Sequence, residues 1–351
     1  MRMHRLRVLG KLPLEVLARY LSGCARLSQF GARYAGWSIE RARSRAARST
    51  AAQQMKSAQD ADAPLPTVSV IIPHFNAPEH LRLAIESVRA TVDVQPDIII
   101  TDNSTDDSAR RSAREIASSH SATWLGMDGN VGFAAACNAG AAAATSELLL
   151  FFNQDAQLSD RALLLLLEHI AASRNCGAVA PAIVTPQGKI WFNGGQYRER
   201  SGRVFLRDFG KPYSGGDPTS SLFLSGCAFL TWRGLFEELS GFDERFFLYY
   251  EDVELSERIR QEGWTLNVVP EAVVVHDRGQ IGDPMRNLSS TMLTNSLRSR
   301  RIFGLTRRGR ARWVARLTLP IEVARLSFHA LRANPRRAYS TGKAIVKGLA
   351  P

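Results

Sequence analysis

Three stretches in the first half of the sequence end an apolar strand on groups that could do chemistry. VSVIIP runs into His74, Phe75 and Asn76; DIIIT runs into Asp102, Asn103 and Ser104; ELLLFF runs into Asn153, Gln154 and Asp155. In an open parallel sheet, ligands collect at the carboxyl ends of the strands. These ends therefore put at least two carboxylates over one edge. A short carboxylate held by a rigid strand, such as Asp155, suits a hard divalent cation that keeps several waters and shares its remaining positions with phosphate oxygens. The plainer alternative is a turn aspartate that caps the following helix, a task Ser159 or Asp160 is placed to do instead.

A second run, GFDERFFLYYEDVELSERIRQEGW, sets four aromatic residues (Phe246, Phe247, Tyr249, Tyr250) ahead of the acidic pair Glu251-Asp252. A carboxylate sheltered beside an apolar wall is suited to general-base work, and Asp252 is the candidate, with Glu251 beside it. The helix dipole offers a simpler reason for acids at a helix start, and Glu254–Arg258 and Arg258–Glu262 are ordinary i,i+4 pairs. DGNVGFAAACNAG follows a strand and opens a helix, with Gly129, Gly132 and Gly140 among its residues. Backbone N–H groups there could approach a phosphate, yet glycine before a helix is structural as readily as functional. His276 closes AVVVHD as one more polar group on a strand end, and a lone histidine is an ordinary surface or core residue more often than a ligand.

The elements that must hold these residues alternate strand and helix from Thr67 onward, which predicts an α/β domain with a mostly parallel central sheet flanked by helices. TVSVIIP, PDIIITDN, ATWLG, ELLLFF and CGAVAPAIV read as strands. APEHLRLAIESVRA, DDSARRSAREIASS, GFAAACNAGAAAA and SDRALLLLLEHIAAS read as helices between them. Past Val184 the texture turns Gly-rich and loop-rich, as expected of a substrate-binding half, before two further strands, TLNVVP and AVVVHD. The expected domains are a basic N-terminal helical or mobile extension over 1–63, a body over 64–283, and basic amphipathic C-terminal helices over 284–351. The body divides into a nucleotide-binding half (64–184) and an acceptor half (185–283). Residues 41–66 lack a sustained apolar face and read as a linker.

The chain has 351 residues, 45% hydrophobic and 22% charged, the composition of a folded protein. Its charge is uneven. Residues 1–63 carry 12 basic and 4 acidic groups, 64–283 carry 18 and 28, and 284–351 carry 15 and 1. An acidic body between basic ends points to an anionic surface met by the ends. The stripe Trp313, Val314, Leu317, Ile321, Ala324, Leu326 and Phe328, interrupted by arginines, suits an anionic membrane interface; a helix packed on the body with its basic face exposed fits equally. Four widely spaced cysteines without a CxxC pair indicate neither zinc nor a disulfide framework, so a reducing cytoplasmic compartment is expected. No run approaches the ~20 apolar residues of a membrane span.

Taken in order, VSVIIPHFN, TDNSTDDS, GNVGFAAACNAG, FFNQD, SGCAFLTWR, GFDERFFLYYEDVELSERIRQEGW and VVVHDRG resemble glycosyltransferase family 2, and most of all its bacterial rhamnosyltransferase-like branch. The likeness spans about residues 67–280. It implies the GT-A fold, transfer of a sugar from a nucleoside diphosphate donor (dTDP- or UDP-linked) with inversion, and Mg²⁺ or Mn²⁺ as cofactor. By the same resemblance Pro73, Asn76, Asn103 and Asn153 border the nucleotide, Asp102 bonds its pyrimidine base, and Asn130, Gly132 and Asn138 shape the nucleotide-side helix start. Asp155 matches the last Asp of the family's Asp-x-Asp, Asp252 the base of its Glu-Asp pair, and His276 a histidine near the metal and diphosphate. The sequence departs from the pattern in DNSTDD, one residue short of the common loop, and in His74, where Tyr is common. It departs again in NQD, which puts Asn153 in place of the first Asp and leaves one direct carboxylate.

The implied partners are a nucleotide sugar, a glycan or lipid-linked acceptor and an anionic membrane surface, placing the protein at the inner face of the cell membrane. The competing readings are a nucleotidyltransferase, for which PHFNAPEH lacks a Gly-rich basic signature, and a catalytically silent membrane assembly partner, against which Asp102, Asp155 and Asp252 argue. A nucleic-acid binder is disfavoured because the positive charge lies outside the body.

Overall fold

The structure is a computed structural model that describes residues 64–197, 204–277 and 290–306, together with Lys347. The N-terminal extension, most of the linker and the stripe over 313–328 lie outside the described residues. The chain order is β1 (Val68–His74), α1 (Pro78–Arg89), β2 (Asp97–Asp102), α2 (Asp107–Ser119), β3 (Thr123–Gly126), α3 (Phe133–Ala143) and β4 (Leu148–Phe152). It continues with β5 (Ala156–Leu158), α4 (Ala162–Ala172), β6 (Cys176–Val184), β7 (Ile190–Phe192), β8 (Gly195–Tyr197), β9 (Val204–Leu206) and β10 (Thr219–Ser220). Last come β11 (Ala228–Trp232), α5 (Arg233–Glu238), α6 (Glu251–Gln261), β12 (Thr265–His276) and α7 (Ser290–Thr306).

The main sheet runs β10-β12-β6-β11-β4-β1-β2-β3, with β5 added to β12 and β7 to β6, while β8 and β9 form a separate pair. In the N-terminal half of the body β3, β2, β1 and β4 are all parallel, as the strand-helix alternation predicts. Beyond β4 the sheet is mixed. β11 lies antiparallel between β4 and β6, and only β12 with β6 returns to parallel pairing. LLLFF is buried at every residue because it is covered on both faces, which is why it reads as a continuous apolar run rather than an alternation.

Expected as two strands, TLNVVP and AVVVHD are one, β12, whose register against β6 shifts between Val269 and Val273. Pro270 lies in that interval and has no N–H to give a ladder, so the strand survives there as an irregularity. Helix α1 buries Leu81, Ala84, Ile85 and Val88, the 3.6-residue stripe of an amphipathic helix, and begins with proline in its first turn. Helix α3 is built from small residues for a different reason. A Cβ on Gly140 would meet Ile71 of β1 at 2.4 Å, so only glycine allows this approach of helix to sheet. Ser159 and Asp160 were the expected caps of α4, yet its N-cap is Arg161, with no side-chain cap.

Candidate active site

β1 and β2 run in register so that His74 stands opposite Asp102 at the carboxyl edge. His74 Nε2 accepts the Ala77 N–H at 3.1 Å, so the proton of a neutral ring belongs on Nδ1, which faces Asp102 Oδ1 at 3.0 Å. The Ser104 N–H also donates to that oxygen, and the Trp124 indole N–H donates to Oδ2 at 3.1 Å. Burial pushes the Asp102 carboxyl up, but the hydrogen bonds from His74 and Ser104 outweigh it and hold the group below the ordinary carboxylate range. Asp102 is thus fully buried with both oxygens engaged by protein. The Trp124 indole thus lies against the carboxylate at the end of β2.

Asn76 takes a left-handed φ of 49°, and its Oδ1 accepts the N–H groups of Thr105 and Asp106, stitching the β1 loop to the β2 loop. Asp106 in turn caps α2 through the Ala109 N–H at 2.8 Å, so the shortened DNSTDD loop still delivers a cap. Pro73 sits beside Thr101 in the ladder. Asn103 Nδ2 donates to Gly132 O at 3.2 Å, while its Oδ1 is buried without a hydrogen-bond partner among the described residues. Asn76, Asn103 and Gly132 therefore share one edge of the sheet.

The start of α3 is less open than its glycines suggest. Asn130 Oδ1 accepts the Gly132 N–H at 3.1 Å, and the Phe133 N–H donates to Phe247 O at 2.8 Å. Gly132 has φ 90°, and a Cβ there would lie 2.6 Å from Phe247 O. This helix start is met by the loop before α6. Asn138, expected on the nucleotide side, does something else: its Oδ1 accepts the Phe242 N–H at 2.9 Å and its Nδ2 donates to Phe242 O at 2.9 Å. It fastens α3 to a turn more than a hundred residues away.

Asp155 and His276 meet at the opposite side of β4. β5 pairs with the end of β12, putting His276 beside Ala156, and the imidazole Nε2 lies 3.1 Å from Asp155 Oδ1. Both side chains are less than a tenth exposed, and the Trp191 ring packs edge-on against the imidazole at 5.2 Å. One carboxylate and one imidazole fit a divalent cation that takes its other ligands from water and phosphate; no cluster of three or more acidic, His or Cys side chains able to close a cage occurs among the described residues. Gln154, which sequence reasoning passed over, accepts the Phe75 N–H through Oε1 at 2.8 Å and donates to Phe75 O through Nε2 at 3.3 Å. The Asn153 N–H donates to Cys227 O at 2.9 Å, so the Asn153–Asp155 loop is held on both sides.

Asp252 opens α6 with its oxygens facing two backbone donors, Gly226 N–H at 2.9 Å and Val253 N–H at 2.8 Å. Burial raises its carboxyl above the ordinary range against the pull of those bonds. Glu251 is buried more deeply, with Oε2 lacking a hydrogen-bond partner among the described residues, and burial followed by the Asp252 charge pushes its carboxyl well above the usual range. Glu254 and Arg258 form the anticipated pair, and Arg258 also donates to Leu239 O and Gly241 O, anchoring α6. The short segment Gly226–Cys227 thus touches both acidic centres, donating to Asp252 and accepting from the loop that carries Asp155.

Solved structures with this architecture confirm the fold. The chain superposes on a structure of GalNAc-T7 with UDP, GalNAc and Mn²⁺ at TM-score 0.52 and 19% identity, covering 68% of this chain and 48% of that one. It superposes on the mannosyltransferase PcManGT of Pyrobaculum calidifontis, solved with GDP-Man and Mn²⁺, at TM-score 0.51 and 17% identity, covering 94% and 84%. These likenesses define the α/β GT-A fold of nucleotide-sugar transferases. The sequence model described as Glycosyl transferase family 2 matches residues 69–240. That match, over just under half of the chain, together with the relatives that follow, supports a glycosyltransferase of family 2. It is 25% identical over 255 residues to the N-acetylglucosaminyl-diphospho-decaprenol L-rhamnosyltransferase of Mycobacterium tuberculosis, covering 64% of this chain and 80% of that protein. It is 27% identical over 219 residues to the O-antigen biosynthesis protein RfbC of Myxococcus xanthus, covering 60% of this chain and 17% of that much longer protein.

Proposed function

We propose that the protein is an inverting, metal-dependent glycosyltransferase that moves rhamnose or a related sugar from a dTDP- or UDP-linked donor to a hydroxyl of a lipid-linked glycan. The observation that carries this reading is the common tether of Asp252 and the Asp155 loop on Gly226–Cys227. It holds a base and an acidic cation-binding group in fixed relation, as a single displacement requires. Asp252 takes the proton of the acceptor hydroxyl, and its two backbone donors keep the carboxylate aimed. Asp155 and His276 would hold Mg²⁺ or Mn²⁺, which when bound supplies charge neutralisation to the departing diphosphate. Attack from the Asp252 side with departure toward Asp155 inverts the anomeric carbon, as in direct displacement by inverting glycosidases. Pro73, Asn76, Asn103, Asn130, Gly132 and Asn153 form the nucleotide edge in this reading, with Asp102 meeting the base from the end of β2. Asn138 serves that edge indirectly, by holding α3.

The acceptor class is supported by the likeness to an N-acetylglucosaminyl-diphospho-decaprenol L-rhamnosyltransferase and by the basic ends, which suit the inner face of a membrane. No helix among the described residues is long and apolar enough to cross one. The test is a panel of dTDP-, UDP- and GDP-sugars scored for nucleoside diphosphate release with lipid-linked acceptor, with and without chelator. Release should occur with a dTDP- or UDP-sugar, stop on chelation and return with Mn²⁺ or Mg²⁺. Asp252→Asn should lower kcat by about a thousandfold or more, the upper range of a general base, while donor still binds. Turnover unaffected by chelator sinks the metal assignment, and pyrophosphate release from a nucleoside triphosphate would instead favour a nucleotidyltransferase.

A further inference from the structure

The turn that delivers Asp252 is unusual in its backbone. Tyr249 and Tyr250 both adopt left-handed φ angles, 72° and 69°, and Tyr250 is the N-cap of α6 without a side-chain cap. Bulky residues with positive φ are strained, and such strain persists only where the surroundings over-determine it. One restraint comes from α3, whose Phe133 N–H holds Phe247 O at 2.8 Å. The other comes from α7, which lies beyond the family match. Ser299 Oγ donates to Leu248 O at 2.8 Å, and the Phe303 ring lies 5.5 Å from Tyr250 and 6.3 Å from Tyr197. Ser299 and Phe303 are four residues apart, hence on one face of the helix, and each is 1% exposed. Tyr197 closes the circuit, since its hydroxyl accepts from Arg260 of α6 at 3.2 Å. Helix α7 thus grips both the turn before α6 and, through Tyr197, the far end of α6.

We propose that Ser299 and Phe303 are positioning residues for the transfer reaction: by holding Leu248 and Tyr250 they fix the left-handed turn that presents Asp252, so turnover depends on how α7 is seated. The inference rests on Asp252 being the base. Both residues are buried away from the candidate site residues, so their loss should act on kcat and leave donor KM nearly unchanged. The experiment uses the full chain and its Ser299→Ala, Phe303→Ala, Phe303→Leu and Asp252→Asn variants. Hydrogen exchange is followed without ligand, and turnover is measured with the nucleotide sugar that the panel selects. In Phe303→Ala, exchange over residues 248–252 should rise about tenfold with β1 and β4 unmoved, and kcat should fall about tenfold or more, because small misplacements of a reacting group are costly. Ser299→Ala should show the same changes more weakly, and Phe303→Leu should recover most of the turnover. Unchanged exchange over 248–252 in Phe303→Ala overturns the proposal, as does faster exchange with wild-type kcat, or a rise spread evenly through the sheet. Turnover surviving in Asp252→Asn, with the local exchange pattern still present in Phe303→Ala, overturns the base assignment while the hold of α7 on the turn stands.

Discussion

Glu251 and Asp252 are adjacent carboxyls in different surroundings, and the difference assigns their roles. Asp252 has two backbone donors, whereas Glu251 has a buried oxygen without a hydrogen-bond partner among the described residues. The proton of the pair therefore belongs on Glu251 and the charge on Asp252. Gln mimics a protonated Glu in shape, so Glu251→Gln should keep turnover within about fivefold of wild type, where Asp252→Asn does not. The pair also sets a dependence of stability on pH. A carboxyl raised in the folded state holds a proton that the unfolded chain releases, so its contribution is complete below the ordinary carboxylate range and is lost as pH climbs through the shifted value. Gln does not titrate. The melting temperature of Glu251→Gln minus that of wild type should therefore widen from about pH 4, near the ordinary glutamate value, toward neutrality. A pH-independent offset would contradict this account.

At the scale of elements, α3 is the joint between the two halves. Its first turn receives Phe247 O and its second holds Phe242 through Asn138, so the edge at Gly132 and the turn before α6 share one helix. Gly132→Ala puts a Cβ against Phe247 O at a φ that side chains resist. It should cost roughly 1–3 kcal/mol, read as a lower denaturant midpoint with unchanged slope. The sequence disclosed α3 itself, since a helical run after a strand and two glycines is a local signal. It did not disclose what Asn138 does, because its partner is more than a hundred residues away and no periodicity reports such a contact. β11 stayed hidden for a related reason: AFLTW lies within the apolar run LFLSGCAFLTWRGLF, where periodicity does not separate a short buried strand from a buried helix. The strand ends of β1, β2 and β4 were legible because a buried run that stops at polar residues marks the carboxyl edge. Asp155 and His276 were each visible as a strand-end group, but their meeting depends on β5 folding back onto β12 for three residue pairs.

For the whole molecule, charge and catalysis are segregated. The acidic body carries the candidate site, and the basic groups gather at the two ends. Each Lys or Arg near an anionic bilayer contributes about 1 kcal/mol, screened over a Debye length of about 8 Å at physiological salt. The full chain should co-sediment with vesicles containing phosphatidylserine at low and physiological salt, be released as salt rises, and lose binding when residues 307–351 are removed. Retention by neutral vesicles alone would refute the electrostatic account.

The sheet's edge is longer than its strands. Beyond the last backbone rung between β1 and β4, Gln154 offers an oxygen to the N–H of Phe75 and a nitrogen to its carbonyl, imitating a residue of a neighbouring strand. The side chain is in effect a ruler that sets the spacing between the loop after β1 and Asp155, and it tolerates little editing. Asparagine is one methylene too short to reach both groups, and glutamate would turn an acceptor toward a carbonyl. Proline has neither donor nor acceptor to give. A chain that places glutamine here has committed the gap between the loops after β1 and β4 to the length and polarity of a single amide.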